Sequence, residues 1–430
     1  MPLVKKPVTG MKDIMPGEMQ IREYVISMVR KTYASFGFSS IETPVVEHIE
    51  NLCSKSGGEN EKLIFKILKR GDKLDLSNAS CEDDLVDCGL RYDLTLPLSR
   101  YYSNHMSELP SPFKALQIGS VFRAERPQKG RFRQFTQCDI DILGDPGFMC
   151  EVELILATTT LLGKIGFKGF TVRINDRRIL KAMAEYAGFK DPETGKPLGD
   201  GDFEGIFITL DKMDKIGIDG VREELKKAGY SEDAISSYIC LFEKISKDSD
   251  GVRLLNDMLN DSMHDACDSL TMIMDTVNAT KSVDFKIEFD PTLVRGMSYY
   301  TGTIFEISMD EFGSSVAGGG RYDGMVEKFT GVKTPACGFS IGFERIITIL
   351  LEKDYKVPGL SDKKVFLIEK GMDKDRLCEI IKEATELRDK GESVRVCQMN
   401  KNRKFQKEQL IKEGYREENI RDFYHTSFKN

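Results

Sequence analysis

The 430-residue chain contains no run of 18 consecutive apolar residues, so no segment is expected to cross a bilayer as a helix, and no membrane is expected among its partners. Its first residues, MPLVKKPVTGMKD, carry no apolar stretch after the lysines. A secretory signal is thereby excluded, and the chain is expected to stay in the cytoplasm. Ten cysteines are scattered between Cys53 and Cys397, and none forms a C-x-x-C pair. Zinc and redox spacings are absent and a disulfide scaffold is implausible, so reduced, mostly buried thiols are expected. Four histidines and no H-E-x-x-H leave a metal site or a Ser-His-Asp triad poorly supplied. The pattern G-x-x-x-x-G-K-[ST] is missing, and GGGRYDG does not fit G-x-G-x-x-G. A bound nucleotide would need another scaffold.

What is present is ordinary globular composition, with 40% hydrophobic and 30% charged residues. The length suggests two to three domains. The formal charge of −7 does not mark the whole molecule as a nucleic-acid binder, but it is uneven. From Asp362 to Asn430 there are 17 Lys/Arg against 14 Asp/Glu, a net +3, which leaves −10 on the first 361 residues. Such a tail permits a local polyanion site without requiring one.

Apolar positions at three- and four-residue spacing predict a helix over 19–36, ended by Gly37. SIETPVVEH reads as an extended run broken by Pro44, residues 62–76 as a strand pair around Arg70-Gly71-Asp72, and LRYDLTLPL (90–98) as a strand leading into a helix with Pro97 near its start. Two strands, 113–125 and 131–144, flank the basic loop ERPQKGR as a long hairpin; a helix over 147–167 and a strand over 169–176 follow. Residues 177–280 are rich in helix formers and carry no chemical motif. Strands resume at 283–289, 299–309 and 314–324, and 336–353 reads as strand, glycine turn and helix. Beyond the linker VPGLSD lies a small β-α-β-α unit. Strands arranged as hairpins argue for an α+β fold around a mostly antiparallel sheet. The expected division is 1–176 and 281–356 as two parts of one core, 177–280 as a helical insertion, and 363–430 as a C-terminal α/β domain.

The hairpin is the densest chemical signal. Gln137, Asp139 and Asp141 share one strand face, as do Arg123 and Glu125. Arginine offers a planar fork to phosphate or carboxylate, and the loop with Arg126, Gln128, Lys129 and Arg131 suits a phosphodiester backbone and a base edge. The alternative is a solvated, internally paired hairpin tip. LVRGMSYYTG sets Arg295 beside Gly296, which allows close backbone approach, but a turn arginine beside core tyrosines reads equally well. GGGRYDG reads as a bulge and turn, and CGFSIGFER as a glycine turn feeding a helix that opens with Glu344 and Arg345.

Taken in order, IETPVVEH, GLRYDLTLPLSRY, FRAERPQKGRFRQFTQCDIDILG, LVRGMSYYTGTIFE, AGGGRYDGM and CGFSIGFERI resemble the class II histidyl-tRNA synthetases over about residues 10–350. IETPVVEH, FRAERPQKGRFRQF and GFSIGFERI are similar to the family's three motifs, and the second and fourth stretches to its two histidine signatures. Two departures stand out: Ser298 replaces the usual aspartate before the tyrosine pair, and the C-terminal domain is short.

The resemblance implies ATP-dependent ligation of L-histidine to its tRNA through a histidyl-adenylate. It implies Arg123 and Arg295 as the catalytic cations at the α-phosphate. Histidine would be bound by Asp93, Leu94, Thr95, Arg123, Gln137, Asp141, Arg295, Tyr299, Tyr300 and Tyr322. ATP would meet Arg123, Glu125, Arg131, Phe135 and Arg345, and Mg²⁺ would come with ATP rather than with a resident metal site. tRNA(His) would touch Arg126, Gln128, Lys129 and Arg131, and further along Lys401, Arg403 and Lys404, although that last run also reads as a solvated helix start. The family is a homodimer with its first motif at the interface. Two other readings share this core: a regulatory subunit of histidine biosynthesis, and a sensor or scaffold. The retained arginines and the C-terminal unit weigh against both.

Overall fold

The computed structural model describes all residues except 1–2, 54–61, 128–130, 200–202, 260–262, 295–299, 310–313, 359–362 and 426–430. Pro16 opens α1 (Pro16–Ser35), where its missing N–H removes no helical bond, and Val25, Val29 and Tyr33 form a buried stripe along it. Gly37, at φ 83°, ends the helical stretch in a conformation few other residues adopt. Pro44 then separates β1 (Ser39–Ile41) from β2 (Val46–His48), which lie in different sheets; α2 (Ile49–Leu52) follows.

The strand pair expected over 62–76 is only β3 (Lys66–Leu68). A 3₁₀ turn at Gly71–Lys73, with Gly71 at φ 59°, prevents a return strand, and β3 pairs instead with β4 (Val86–Leu90). β4 also ends earlier than the apparent strand over 90–98, because α3 (Thr95–His105) has already begun there, with Pro97 in its first turn. The hairpin is as expected: β5 (Phe113–Phe122) and β6 (Gln134–Leu143) pair over all ten residues.

Next come α4 (Met149–Ile165) and β7 (Thr171–Asp176), then six helices: α5 (Arg177–Tyr186), α6 (Glu204–Leu210), α7 (Met213–Lys227), α8 (Glu232–Lys244), α9 (Ser249–Met258) and α10 (His264–Thr280). The chain re-enters sheet structure with β8 (Lys286–Phe289), β9 (Thr303–Met309) and β10 (Ser314–Arg321), followed by α11 (Asp323–Thr330), β11 (Ala336–Ile341) and α12 (Phe343–Glu352). These strands build an eight-stranded sheet, β1-β5-β6-β11-β10-β9-β7-β8. Only the two outermost pairs, β1 with β5 and β7 with β8, are parallel. The mixed α+β architecture with an antiparallel centre is the one the sequence predicts.

The C-terminal segment contains β12 (Lys364–Ile368), α13 (Lys374–Asp389), β13 (Val394–Gln398), α14 (Arg403–Lys412) and β14 (Ile420–Phe423). Its parallel sheet, β13-β12-β14, holds a third strand beyond the expected β-α-β-α unit. Only four residues long and carrying Arg421 and Asp422 at its centre, that strand has no apolar alternation of its own to announce it. The chain divides into two compact units: residues 1–13 with 25–349, and residues 14–24 with 350–430. All ten cysteines are free thiols; Cys138, Cys150, Cys267 and Cys337 are buried, whereas Cys81 and Cys378 are exposed, so burial is less general than expected.

Candidate active site

One face of β6 carries Cys138, Ile140 and Ile142 into the apolar core, all of them at most 2% exposed. The opposite face presents Gln137, Asp139 and Asp141 to a cavity of about 620 Å³. Small or short partners flank the acids: Ala115, Gln117 and Gly119 on β5, Gly338 and Ser340 on β11. Glycine is required at Gly338 and, on the next strand, at Gly319 of β10. A Cβ at Gly338 would lie 2.0 Å from Asp141 Oδ1, and one at Gly319 would lie 2.0 Å from the Gly338 carbonyl. GGG is therefore the interior of β10, where close backbone approach forms the cavity floor, rather than a turn; the bulge falls earlier, between Ser315 and Ala317.

The acidic end of the cavity is buried and incompletely satisfied. Tyr322 donates its hydroxyl to Asp141 Oδ1 at 2.6 Å, while Asp141 Oδ2 has no partner among the described residues. Asp93 Oδ1 accepts the Leu96 N–H at 3.1 Å and so starts α3; its Oδ2 is also unpartnered. Gln137 Oε1 and Asp139 Oδ1 complete a set of four acceptors that have no donor among the described residues. Burial pushes the Asp141 carboxyl up to about 7, against the opposing Tyr322 bond, and the Asp93 charge adds to the rise. Burial raises Asp93 and Asp139 in the same direction. A region so rich in acceptors is built for a ligand with several N–H donors.

The other end carries cations. Arg123 donates Nε to the Tyr92 carbonyl at 3.0 Å, lies 3.9 Å from Glu125, and places its guanidinium 5.2 Å above the Phe135 ring. Arg131 reaches Glu125 at 3.8 Å, and Arg345 donates to the Ser315 carbonyl. Glu344, at the start of α12, accepts the Thr136 N–H at 3.1 Å and ties that helix to β6.

Behind the site lies Arg91, 4% exposed and held by oxygens alone. It donates to the Ser120 carbonyl at 2.9 Å, the Thr43 carbonyl at 2.7 Å and the Thr43 hydroxyl at 3.1 Å. A Cβ at Gly119 would lie 2.3 Å from its Nη2. Gln117 extends this bracing by donating to the Leu94 carbonyl at 3.0 Å. The segment holding Asp93, Leu94 and Thr95 is thereby fixed to β5 and to the residues around Pro44.

A family profile described as Histidyl-tRNA synthetase matches residues 10–346. A histidine–tRNA ligase of Leifsonia xyli subsp. xyli is 40% identical over 420 residues, 95% of this chain and 94% of its own. A probable histidine–tRNA ligase of Tropheryma whipplei is 42% identical over 375 residues, 84% of this chain and 83% of its own. The chain belongs to the histidyl-tRNA synthetase family. Its enzyme class is aminoacyl-tRNA ligase. The crystal structure of a histidyl-tRNA synthetase from Nostoc sp. PCC 7120 superposes with a TM-score of 0.78 at 25% identity, covering 96% of this chain and 90% of the other. A Bacillus halodurans structure, described as an ATP phosphoribosyltransferase regulatory subunit/histidyl-tRNA synthetase, gives 0.76 at 19% identity over 99% of this chain and 100% of its own, and shows the shared fold alone.

Of the residues the synthetase resemblance singles out, Asp93, Thr95, Arg123, Glu125, Arg131, Phe135, Gln137, Asp141, Tyr300, Tyr322 and Arg345 all line the one cavity. Leu94 is buried beside it, joined through its carbonyl to Gln117. Arg295, Tyr299, Gln128 and Lys129 fall outside the described residues. Arg126 is exposed. Asp141 does not pair with the hairpin arginines: Arg131 faces Glu125, and Arg133 donates to the Glu125 carbonyl at 3.1 Å.

Sequence reasoning left Asp139 and Ser340 without a role, and it read residues 177–280 as chemically silent. Asp211 and Lys215 of that module line the cavity. No local pattern distinguishes them from other exposed helix-end residues. In the C-terminal unit, Asn402 caps α14 by accepting the Phe405 N–H at 3.0 Å, so the basic run is a helix start. Arg403 lies over the Tyr424 ring and Lys407 pairs with Asp422 at 2.8 Å, while Lys401 and Lys404 are exposed.

Proposed function

We propose that the cavity activates L-histidine with ATP and passes the histidyl group to the 3′ end of tRNA(His), for use in protein synthesis. The observation that carries this reading is the cavity's lining: buried acceptors without donors among the described residues and arginines share one cavity. The acceptors take the ammonium and imidazole N–H groups. Asp93, Thr95 and Gln137 receive the ammonium, and Asp141 with Tyr300 and Tyr322 receives the ring. Arg123 bridges the substrate carboxylate and the α-phosphate, where charge develops as the carboxylate attacks and pyrophosphate leaves. By resemblance, Arg295 meets that same charge and Tyr299 closes the histidine site. Adenine would stack on Phe135 beside Arg345, with Glu125 accepting its amino group and Arg131 holding phosphate. Mg²⁺ would arrive on the nucleotide phosphates and offset their charge.

The same reading gives the loop cations Arg126, Lys129 and Arg131, with Gln128, to the acceptor end of tRNA, and Lys401, Arg403 and Lys404 to a more distant phosphate run in an anticodon-binding-like C-terminal domain. The working form is a cytoplasmic homodimer. Val45 and Val46 beside Pro44 are 38% and 45% exposed, which suits a partner contact, whereas the Val25, Val29 and Tyr33 face of α1 is already buried within the chain. Val45→Glu should shift a dimer toward monomer in analytical ultracentrifugation; a wild-type chain that sediments as a monomer at micromolar concentration removes the claim.

The regulatory reading keeps the fold but has no need of arginines facing an acidic substrate pocket. ATP–pyrophosphate exchange separates the two. Exchange that requires histidine supports the synthetase reading, and no exchange with histidine present overturns it.

A further inference from the structure

Asp139 has no part in the reaction described above, yet its side chain lines the cavity and the residue is 3% exposed. It stands between Gln137 and Asp141 on one face of β6, with Gln117 opposite it on β5 and Ser340 on β11. Gln117 is already committed to the Leu94 carbonyl and the Thr43 hydroxyl. Ser340 lies beside the Asp139 carboxyl and favours its charge, but Oδ1 has no donor among the described residues. Two other orphaned acceptors, Asp93 Oδ2 and Gln137 Oε1, belong to the same cavity.

The charged and titratable groups around Asp139 set its state. Asp141 from its own strand and Asp93 from the segment before α3 oppose a further negative charge. Arg123, beyond the end of β5, favours it. Arg91 lies near but is bound to the Thr43 and Ser120 carbonyls, and the Tyr33 phenol approaches from α1. No described lysine or arginine forms an ion pair with Asp139. Burial, reinforced by Asp141, holds its carboxyl well above the ordinary range, which favours the protonated form. A ligand that brings a positive charge and three N–H donors removes both obstacles at once: it satisfies Oδ1 and offsets the neighbouring acids.

We propose that Asp139 is a specificity-determining residue whose Oδ1 shares an N–H of the histidine α-ammonium with the neighbouring Gln137 and which gives up its own proton to solvent as the ammonium docks. The inference rests on the cavity being the histidine site. The pocket thus takes a cation in exchange for a proton, and histidine binding tightens as the pH rises until Asp139 is already ionised in the free enzyme.

Titration calorimetry of the full chain in buffers of different ionisation enthalpy tests this. L-Histidine should release protons from the wild type, and more than it releases from Asp139→Asn. L-Histidinol, which keeps the ammonium and ring, should do the same; imidazolepropionate, which lacks the ammonium, should release less, because only the ring-facing Asp141 then responds. Asp139→Asn keeps the shape but cannot ionise. It should weaken histidine by about ten- to hundredfold, release correspondingly less proton and flatten the pH dependence, with the ATP KM unchanged. A wild type that releases no proton, or an Asp139→Asn enzyme with wild-type affinity and proton release, overturns the proposal and leaves a buried carboxylic acid beside Ser340. Because the wild-type result needs no variant, misfolding cannot mask the outcome. Absence of histidine binding to the wild type would instead strike the synthetase reading itself.

Discussion

The cavity-lining sheet and the C-terminal unit treat carboxylates in opposite ways. In the C-terminal unit acids sit at the surface beside cations: Arg395 with Glu413 at 2.6 Å, Arg376 with Glu379 at 2.7 Å. Even Asp422, whose Oδ1 lacks a partner, has Lys407 at 2.8 Å on its other oxygen. Around β6, by contrast, Asp93, Asp139 and Asp141 are buried together, each with an oxygen that finds no donor among the described residues. Surface pairs contribute little, about 0–1 kcal/mol each, whereas an unpaired buried polar group costs about 1–3 kcal/mol. A fold that tolerates three such groups in one place uses them for something other than its own stability.

The sharpest way to break this contrast is at the cationic end. Arg123→Ala should lower ATP–pyrophosphate exchange by about a hundred- to thousandfold, because the lost charge acts where charge develops. Its side chain is 27% exposed, so the melting temperature should move little. A proportionate fall in both would make Arg123 a structural residue.

Arg91 probes the bracing instead. Arg91→Lys keeps the charge but cannot hold the Thr43 and Ser120 oxygens in one fork, and it should destabilise the chain by about 2–3 kcal/mol in denaturant unfolding while raising the histidine KM. Unchanged stability would show that the segment before α3 stands without it.

The smallest effect is expected in the C-terminal unit. Neutralising Lys401, Arg403, Lys404 and Lys407 together should leave adenylate formation untouched and make the salt dependence of aminoacylation shallower. If that salt slope is unchanged, the run serves only to begin α14.

How much of this was legible depends on whether a signal is local. The hairpin was readable because two strands of alternating residues flank a polar loop, and the reading that 137, 139 and 141 share a face follows from a period of two. That this face is buried was not readable, since acids at alternating positions look solvated. β3 was mistaken for half of a hairpin because its true partner, β4, lies beyond a turn-rich stretch. β14 was missed because four residues with charges at the centre carry too little pattern. The glycines of β10 read as a turn because the need for them lies on neighbouring strands and not in their own sequence. Asp211 and Lys215 reach the cavity through the placement of a helical module that no local motif describes.

Asp141 gives the most direct test of the central claim, that these acids are held for histidine at the expense of stability. Its folded value of about 7 lies above the ordinary carboxylate range, so between about pH 4 and 7 the folded chain keeps a proton that the unfolded chain loses. Stability therefore falls as pH rises through that window, by an amount on the order of a few kcal/mol, and does not return above it. Asp141→Asn still accepts from Tyr322 but escapes that loss. Measured together at pH 5 and pH 8, its melting temperature should gain on the wild type as pH rises, while its histidine KM increases more than about tenfold and its ATP KM stays within about twofold. A variant that is less stable than wild type at pH 8, with an unchanged histidine KM, would contradict the account.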